Sequence, residues 1–118
     1  MWTVTTSWAN LHGRKVFGSE DDARAYAKKF DKRMVGVTVE QEAHPAPETI
    51  NGLPILRASF TPAASATRPG HVVLVEARRG EYVTAWLGNG DTSWCWGHYF
   101  TSFFEAERDY LERCKRGY

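Results

Sequence analysis

The feature that most constrains what this chain can fold into is a short cassette that occurs twice. Phe17-Gly18-Ser19 is followed by Ala23, and Phe100-Thr101-Ser102 is followed by Ala106. In each copy a strand-like, Trp-bearing segment runs into a serine, whose side-chain oxygen can accept from the free N–H groups of a first helical turn. The alanine four residues later lets such a helix approach a sheet closely. Two hairpins, each handing over to a capped helix, are therefore expected, and the fold class is α+β. An old duplication of a ββα unit and independent use of the same capping rules would both leave this pattern. With 118 residues the chain has the size of one ordinary domain built around one core.

Between the cassettes the periodicities change in an orderly way. Residues 3–9 are β-branched and aromatic, Leu11-His12-Gly13 offers a turn, and 14–17 returns the chain as a hairpin. Ser19 then caps a helix with Glu20, Asp21 and Asp22 at its start and Lys28, Lys29, Lys32 and Arg33 toward its end, the order a helix dipole favours. Its apolar stripe is Ala23, Tyr26, Ala27 and Phe30. Val35, Val37 and Val39 alternate with smaller or polar residues as a half-buried strand. His44-Pro45-Ala46-Pro47 reads as a connection, since proline has no N–H to give a ladder. Asn51-Gly52 is a turn dipeptide, after which Leu56, Ala58 and Phe60 alternate on a further strand. Residues 61–70, small and turn-forming, form a candidate mobile loop.

From His71 the chain reads as a meander of three strands, 72–77, 82–87 and 92–99, with turns at Arg79-Gly80 and 88–91. A four-residue loop at 88–91 would pair Leu87 with Thr92 and set Trp94 opposite Ala85 and Trp96 opposite Val83, as core. Tyr82, Thr84 and Trp86 would then share the other face with Ser93, Cys95, Val73 and Val75. Both faces are apolar in this reading, so either helices and loops cover both or one is left for a partner. Ser102 and Glu105 make a capping box for the second helix, whose buried stripe is Ala106, Tyr110 and Cys114 and whose end is marked by Gly117. The expectation is a single domain over 1–118: a mainly antiparallel twisted sheet of about six to seven strands with two amphipathic helices, arranged as two ββα-like halves if the cassettes share an origin.

Little in the chain points to catalysis. The formal charge of +1 supplies no domain-wide field for nucleic acid or an anionic membrane. No apolar run approaches the ~20 residues needed to cross a bilayer. With no secretory signal, Cys95 and Cys114 are expected as reduced thiols in a cytoplasmic protein. Cys95 and His98 have a C-x-x-H spacing, but residues three apart on a strand face opposite ways and no second pair completes a tetrahedral site. The acidic residues gather at helix starts, and Gly88-Asn89-Gly90 lies between strands, where it cannot cradle phosphate against a helix. We therefore expect no enzyme activity, no catalytic residue, no metal and no cofactor.

Aromatic residues are the outlier, at 14% of the chain. Aromatic and arginine anchors dominate interface energies, which makes Tyr82, Trp86, Arg78, Arg79 and, in the 61–70 loop, Arg68 the candidate contacts for a protein partner. The tail from Trp96-Gly97-His98-Tyr99-Phe100 through Phe103-Phe104-Glu105-Ala106 to Tyr110 resembles the ends of small proteins carried on phages and plasmids. That resemblance implies an inhibitor of host defence of the anti-CRISPR type, a protein-binding module without catalysis. Two alternatives stand beside it: a nucleic-acid-binding accessory protein using Lys28, Lys29, Lys32, Arg33, Arg113, Lys115 and Arg116, and a small enzyme with Cys95 or a histidine as reactive group.

Overall fold

The computed structural model describes residues 1–8, 11–31, 33, 35–62 and 68–118. β1 (Trp2–Trp8) and β2 (Leu11–Phe17) form a hairpin, α1 (Glu20–Ala27) follows, and β3 (Gly36–Gln41) returns antiparallel to β1. These strands make a three-stranded sheet in the order β2-β1-β3. β4 (Thr49–Ile50), β5 (Leu53–Thr61), β6 (Gly70–Arg78), β7 (Glu81–Gly88) and β8 (Cys95–Phe100) form a five-stranded antiparallel sheet in chain order, and α2 (Phe103–Arg116) packs on it. The class is α+β, with eight strands shared between two sheets. The strand beyond the expected number is β4, created by Asn51 (φ 52°) and Gly52 (φ 78°), both left-handed as a type I′ hairpin turn requires.

Both cassettes do what their serines dictate. Ser19 accepts from the Asp22 N–H at 3.2 Å and Ser102 from the Glu105 N–H at 3.4 Å, while Ala23 and Ala106 are wholly buried against their sheets. Gly117, at φ 94°, ends α2 in the left-handed region and donates its N–H to Arg113 O. α1 stops sooner than its charge pattern suggests. The Lys29 and Phe30 N–H groups reach back only three residues, to Tyr26 O and Ala27 O, so the helix tightens and lets the chain swing back beside β1. Lys28, Lys29 and Arg33 therefore lie beyond the helix, and Lys32 lies outside the described residues.

Other details of the sequence reading also shift. Trp8 pairs with Leu11, so Leu11, His12 and Gly13 belong to β2 rather than to a turn, and residues 9–10 lie outside the described residues. Thr61 ends β5 and Gly70 begins β6, and of the expected mobile loop the positions 63–67 also lie outside them. In β5 a bulge between Ile55 and Arg57 breaks the expected alternation. It sends Leu56 to the face that carries α2, whereas Ile55 and Ala58 point to the opposite face.

Three apolar clusters hold the molecule together. Ile55, Val73, Val75, Val83, Ala85 and Leu87 lie on one face of the large sheet, closed over by Ile50, Leu53 and Trp94. Leu56, Val72 and Leu74 lie on the other, under Phe103, Ala106 and Tyr110 of α2. Val4 packs against Ala23 and Ala27 of α1 in the small sheet. Val73 and Val75 thus share a face with Ala85 and Val83 rather than with Trp86 and Thr84, because Val73 pairs with Ala85 and Val75 with Val83. Both faces of the meander are apolar and both are covered. Removing a fully buried side chain such as Leu74 by substitution with Ala would cost about 2–5 kcal/mol.

Polar ties hold the small sheet to the 42–48 connection and to the large sheet. Arg14 donates from Nη1 to Pro47 O (2.9 Å) and from Nη2 to Ala46 O (2.7 Å), and the Val16 N–H donates to Glu48 Oε1 (2.7 Å). Arg57 Nη2 donates to Thr6 O (3.4 Å), and the His12 ring stacks on Phe103 at 3.6 Å.

Candidate partner-binding site

β8 is the outer strand of the large sheet, so one row of its backbone groups has no partner strand among the described residues. Its register differs from the expected one. Tyr82 pairs with Phe100, Val83 with Tyr99, Thr84 with His98 and Trp86 with Cys95. Between the last two pairs β7 contributes Ala85 alone while β8 contributes Trp96 and Gly97. The strand starts at Cys95 because 89–94 is spent on a longer connection, which takes Trp94 onto the apolar face of Ile55, Val73, Val83 and Ala85. Trp96 is not a core residue opposite Val83.

The extra residue makes a bulge in which Trp96 adopts φ 56°, left-handed backbone that a glycine would adopt without strain. For a bulky residue such a conformation costs about 1–3 kcal/mol and persists only where the surroundings hold it. Here the ring of Trp96 lies 5.7 Å from that of Trp86 and 5.7 Å from that of Tyr118, while 52% of the residue faces solvent. Its carbonyl accepts from Arg113 Nη2.

Arg113 is 1% exposed, a cation inside the apolar stripe of α2. Its Nε lies 3.7 Å from Asp109 Oδ2, one helical turn earlier, and Nε and Nη1 have no hydrogen-bond partner among the described residues. Burial lowers its pKa, Asp109 opposes that shift and Arg116 adds to it. Asp109 Oδ2 is itself a hub. It accepts from Thr84 Oγ1 on β7 at 2.5 Å and from His98 Nδ1 on β8 at 2.9 Å. Burial alone would raise the Asp109 carboxyl. The hydrogen bonds from Thr84 and His98, with the charges of His98 and Arg113, outweigh it and hold the group below its ordinary value. The chain of contacts from Thr84 and His98 through Asp109 and Arg113 therefore ends on the carbonyl of the strained tryptophan.

Cations close both ends of the aromatic column. Arg68 sits 5.5 Å over the Trp86 ring and is fixed by Asp91 and by Asn89 O, and Arg116 sits 4.8 Å over the Tyr118 ring. Trp86 is 4% exposed, and its Nε1–H is buried with no partner among the described residues. Gly70 makes room for it: a Cβ there would lie 2.6 Å from Leu87 O and 2.9 Å from Trp86 Cζ2. Farther along β8, Tyr99 is exposed, and so are Phe104 and Leu111, seven residues apart on the outer side of α2.

The residues singled out from the sequence thus divide between the two ends of the β7–β8 ladder. Arg68 and Trp86 stand at the Trp96 end, Trp86 inside and Arg68 at the surface. Tyr82 stands at the other end, half-buried and packed edge-on against Phe103 at 5.5 Å. Arg78 pairs with Glu81 at 2.9 Å beside the exposed Arg79 in the β6–β7 turn. Sequence reasoning missed Trp96, Asp109 and Arg113 as a unit. One signal was present: Phe103, Ala106, Tyr110 and Arg113 share one helical stripe, so an arginine was assigned by spacing to the buried face.

Cys95 is exposed, Cys114 is partly buried, and both are free thiols. Among the described residues no three His, Cys, Asp or Glu side chains are placed to hold a metal ion, and no helix is long and apolar enough to cross a membrane. No protein-family model, curated protein or solved structure matches this chain.

Proposed function

We propose that this chain is a non-enzymatic protein-binding module, an inhibitor or adaptor of a larger macromolecular complex, and that it docks through the outer edge of β8 with Trp96 as its anchor. The observation that carries this reading is the strained, half-exposed Trp96, held in left-handed backbone on an open strand edge by the buried Arg113, which Asp109 accompanies one helical turn earlier. The ring contacts of Trp96 with Trp86 and Tyr118 leave half of the residue facing solvent, so strain is kept at a side chain still open to a partner. Tryptophan flanked by arginines is the composition of an interface hot spot. The occupant is an acidic, extended segment of a partner protein: the strand edge offers backbone hydrogen bonds, and Arg68 over Trp86 and Arg116 over Tyr118 favour negative charge. The resemblance of the tail to small phage- and plasmid-borne proteins supports a host-defence complex, of the kind anti-CRISPR proteins inhibit, as the class of target, with a cytoplasmic setting as part of the same proposal.

Capture from a lysate of the native host tests this. Tagged wild-type protein is expected to retain a near-stoichiometric, nuclease-resistant acidic protein that Trp96→Gly fails to retain, although the variant stays folded. Recovery that disappears with nuclease and falls steeply with salt would replace this reading with nucleic-acid binding on the same aromatic and arginine column. Equal recovery by Trp96→Gly would remove Trp96 from the contact.

One observation favours a catalytic second reading. Asp109 engages His98 Nδ1, which would leave Nε2 as an acid–base group on the strand that also carries the exposed Cys95. Alkylation of Cys95 together with His98→Gln, without loss of the activity that copurifies with the protein, would dispose of it.

A further inference from the structure

The three-stranded sheet is two-sided. One side carries Trp2, Val4, Val37 and Val39 and is covered by α1. The other carries Thr3, Thr5 and Ser7 of β1, with Glu40 opposite Thr3 and Thr38 opposite Thr5 on β3. This second side looks toward β5 and α2, and a sheet face turned toward a second sheet is normally apolar. Here it is hydroxylic, and the sheets do not close on it. A groove of about 480 Å³ is left, completed by Ser59 and Arg57 of β5 and by Glu107 and Tyr110 of α2. That volume lies within the ordinary range of small-ligand clefts.

The charges of the groove are mostly committed to the protein. Arg14 gives its two terminal nitrogens to the carbonyls of Ala46 and Pro47. Arg57 donates to Leu56 O at 2.7 Å and to Thr6 O, with Nε 3.7 Å from Glu107. Burial lowers the pKa of both guanidiniums, with Glu42 and Glu48 opposing it at Arg14 and Glu107 at Arg57. Glu40, Glu42 and Glu107 line the same groove and oppose an anion there. What remains for a ligand is a field of hydroxyls and carboxylate acceptors. Thr3 Oγ1 is buried there, on a residue 3% exposed, with no partner among the described residues. Tyr110 and Ser59 bond each other on the opposite wall.

We infer that this groove binds a small neutral ligand whose hydroxyls both donate and accept, in the class of mono- and disaccharides and related polyols. Hydroxyls of this kind satisfy a buried threonine and a row of carboxylates without adding charge to a site already balanced.

Titration of ¹⁵N-labelled protein with glucose, galactose, mannose, maltose and cellobiose, and with glutamate and inorganic phosphate as charged comparators, tests the inference. The expected result is saturable movement of the Thr5, Thr38 and Ser59 amides with at least one neutral sugar. In the Thr5→Val/Thr38→Val variant, which keeps β-branched side chains on both strands, the dissociation constant should rise tenfold or more. Absence of saturable shifts with every neutral sugar overturns the inference. So does response to the charged comparators alone, or unchanged affinity in the variant. Should that variant not fold, mapping the wild-type shifts decides: movement outside the groove has the same overturning force. None of these outcomes touches the docking role of Trp96, which lies on the other sheet.

Discussion

Trp96 pays a backbone cost that its neighbours offset, and two substitutions separate the terms. Trp96→Gly removes both the ring contacts and the left-handed penalty, whereas Trp96→Ala removes the contacts and keeps the penalty. Urea unfolding is expected to find the glycine variant more stable than the alanine variant by about 1 kcal/mol. The reverse order would mean that the backbone at 96 is not strained in solution. His71 offers a second test. It is 5% exposed, and its Nε2–H donates to His44 O at 2.7 Å. Burial lowers its pKa below the ordinary 6.5, with Arg14 and His44 adding to that shift and the His44 carbonyl and Glu42 opposing it. The folded protein therefore holds this ring neutral, while the unfolded chain takes up a proton as pH falls below about 6.5. The resulting loss of stability begins below that value and is complete below the depressed folded value. Unfolding midpoints should drop between pH 7.5 and about 5, and His71→Gln should flatten that drop. Asp109 acts in a separate, more acidic window: its contribution is present above its ordinary value of 3.8 and is lost as pH falls through the lower folded value.

At the scale of elements, the caps were legible and the bulges were not. Ser19, Ser102 and Gly117 act through bonds to residues three or four positions away, so local sequence contains the whole cause. Ser102→Ala should cost about 1 kcal/mol in thermal or urea unfolding, as loss of an N-cap does. A cost near zero would show that packing of Phe103 alone anchors the start of α2. The β7–β8 register was misread because it depends on how many residues the 89–94 connection consumes and on one extra residue at Trp96 and Gly97. Neither leaves a periodic trace. The same holds for the bulge at Leu56, which shifts the alternation by one position. Of the candidate site, the aromatic residues and Arg68 were readable as types. Their union through Asp109 and Arg113 was not, because a hydrogen-bond chain across β7, β8 and α2 requires the register to be known first.

At the scale of the whole molecule, each sheet is drawn from one unbroken stretch of chain, 2–41 for the small sheet and 49–100 for the large one. Residues 42–48 cross between them once. Among the described residues the small sheet bonds to that strap through Arg14 and Val16, and to the large body through Arg57 on Thr6 O and the stack of His12 on Phe103. A backbone break between Glu42 and Ala43 would remove no strand from either sheet. It would leave the Glu42 N–H bond to Met1 O on one piece and the Ala46 and Pro47 carbonyls that receive Arg14 on the other. Separately expressed fragments 1–42 and 43–118 should therefore reassociate on mixing and recover the near-ultraviolet dichroism of the intact chain. Arg14→Leu in the shorter fragment should weaken that reassociation about tenfold or more, since charge-assisted hydrogen bonds contribute about 1.5–3 kcal/mol each. The crossing strap makes the protein a natural split reporter, whose two halves carry their own cores and recognise each other through a guanidinium and a pair of carbonyls.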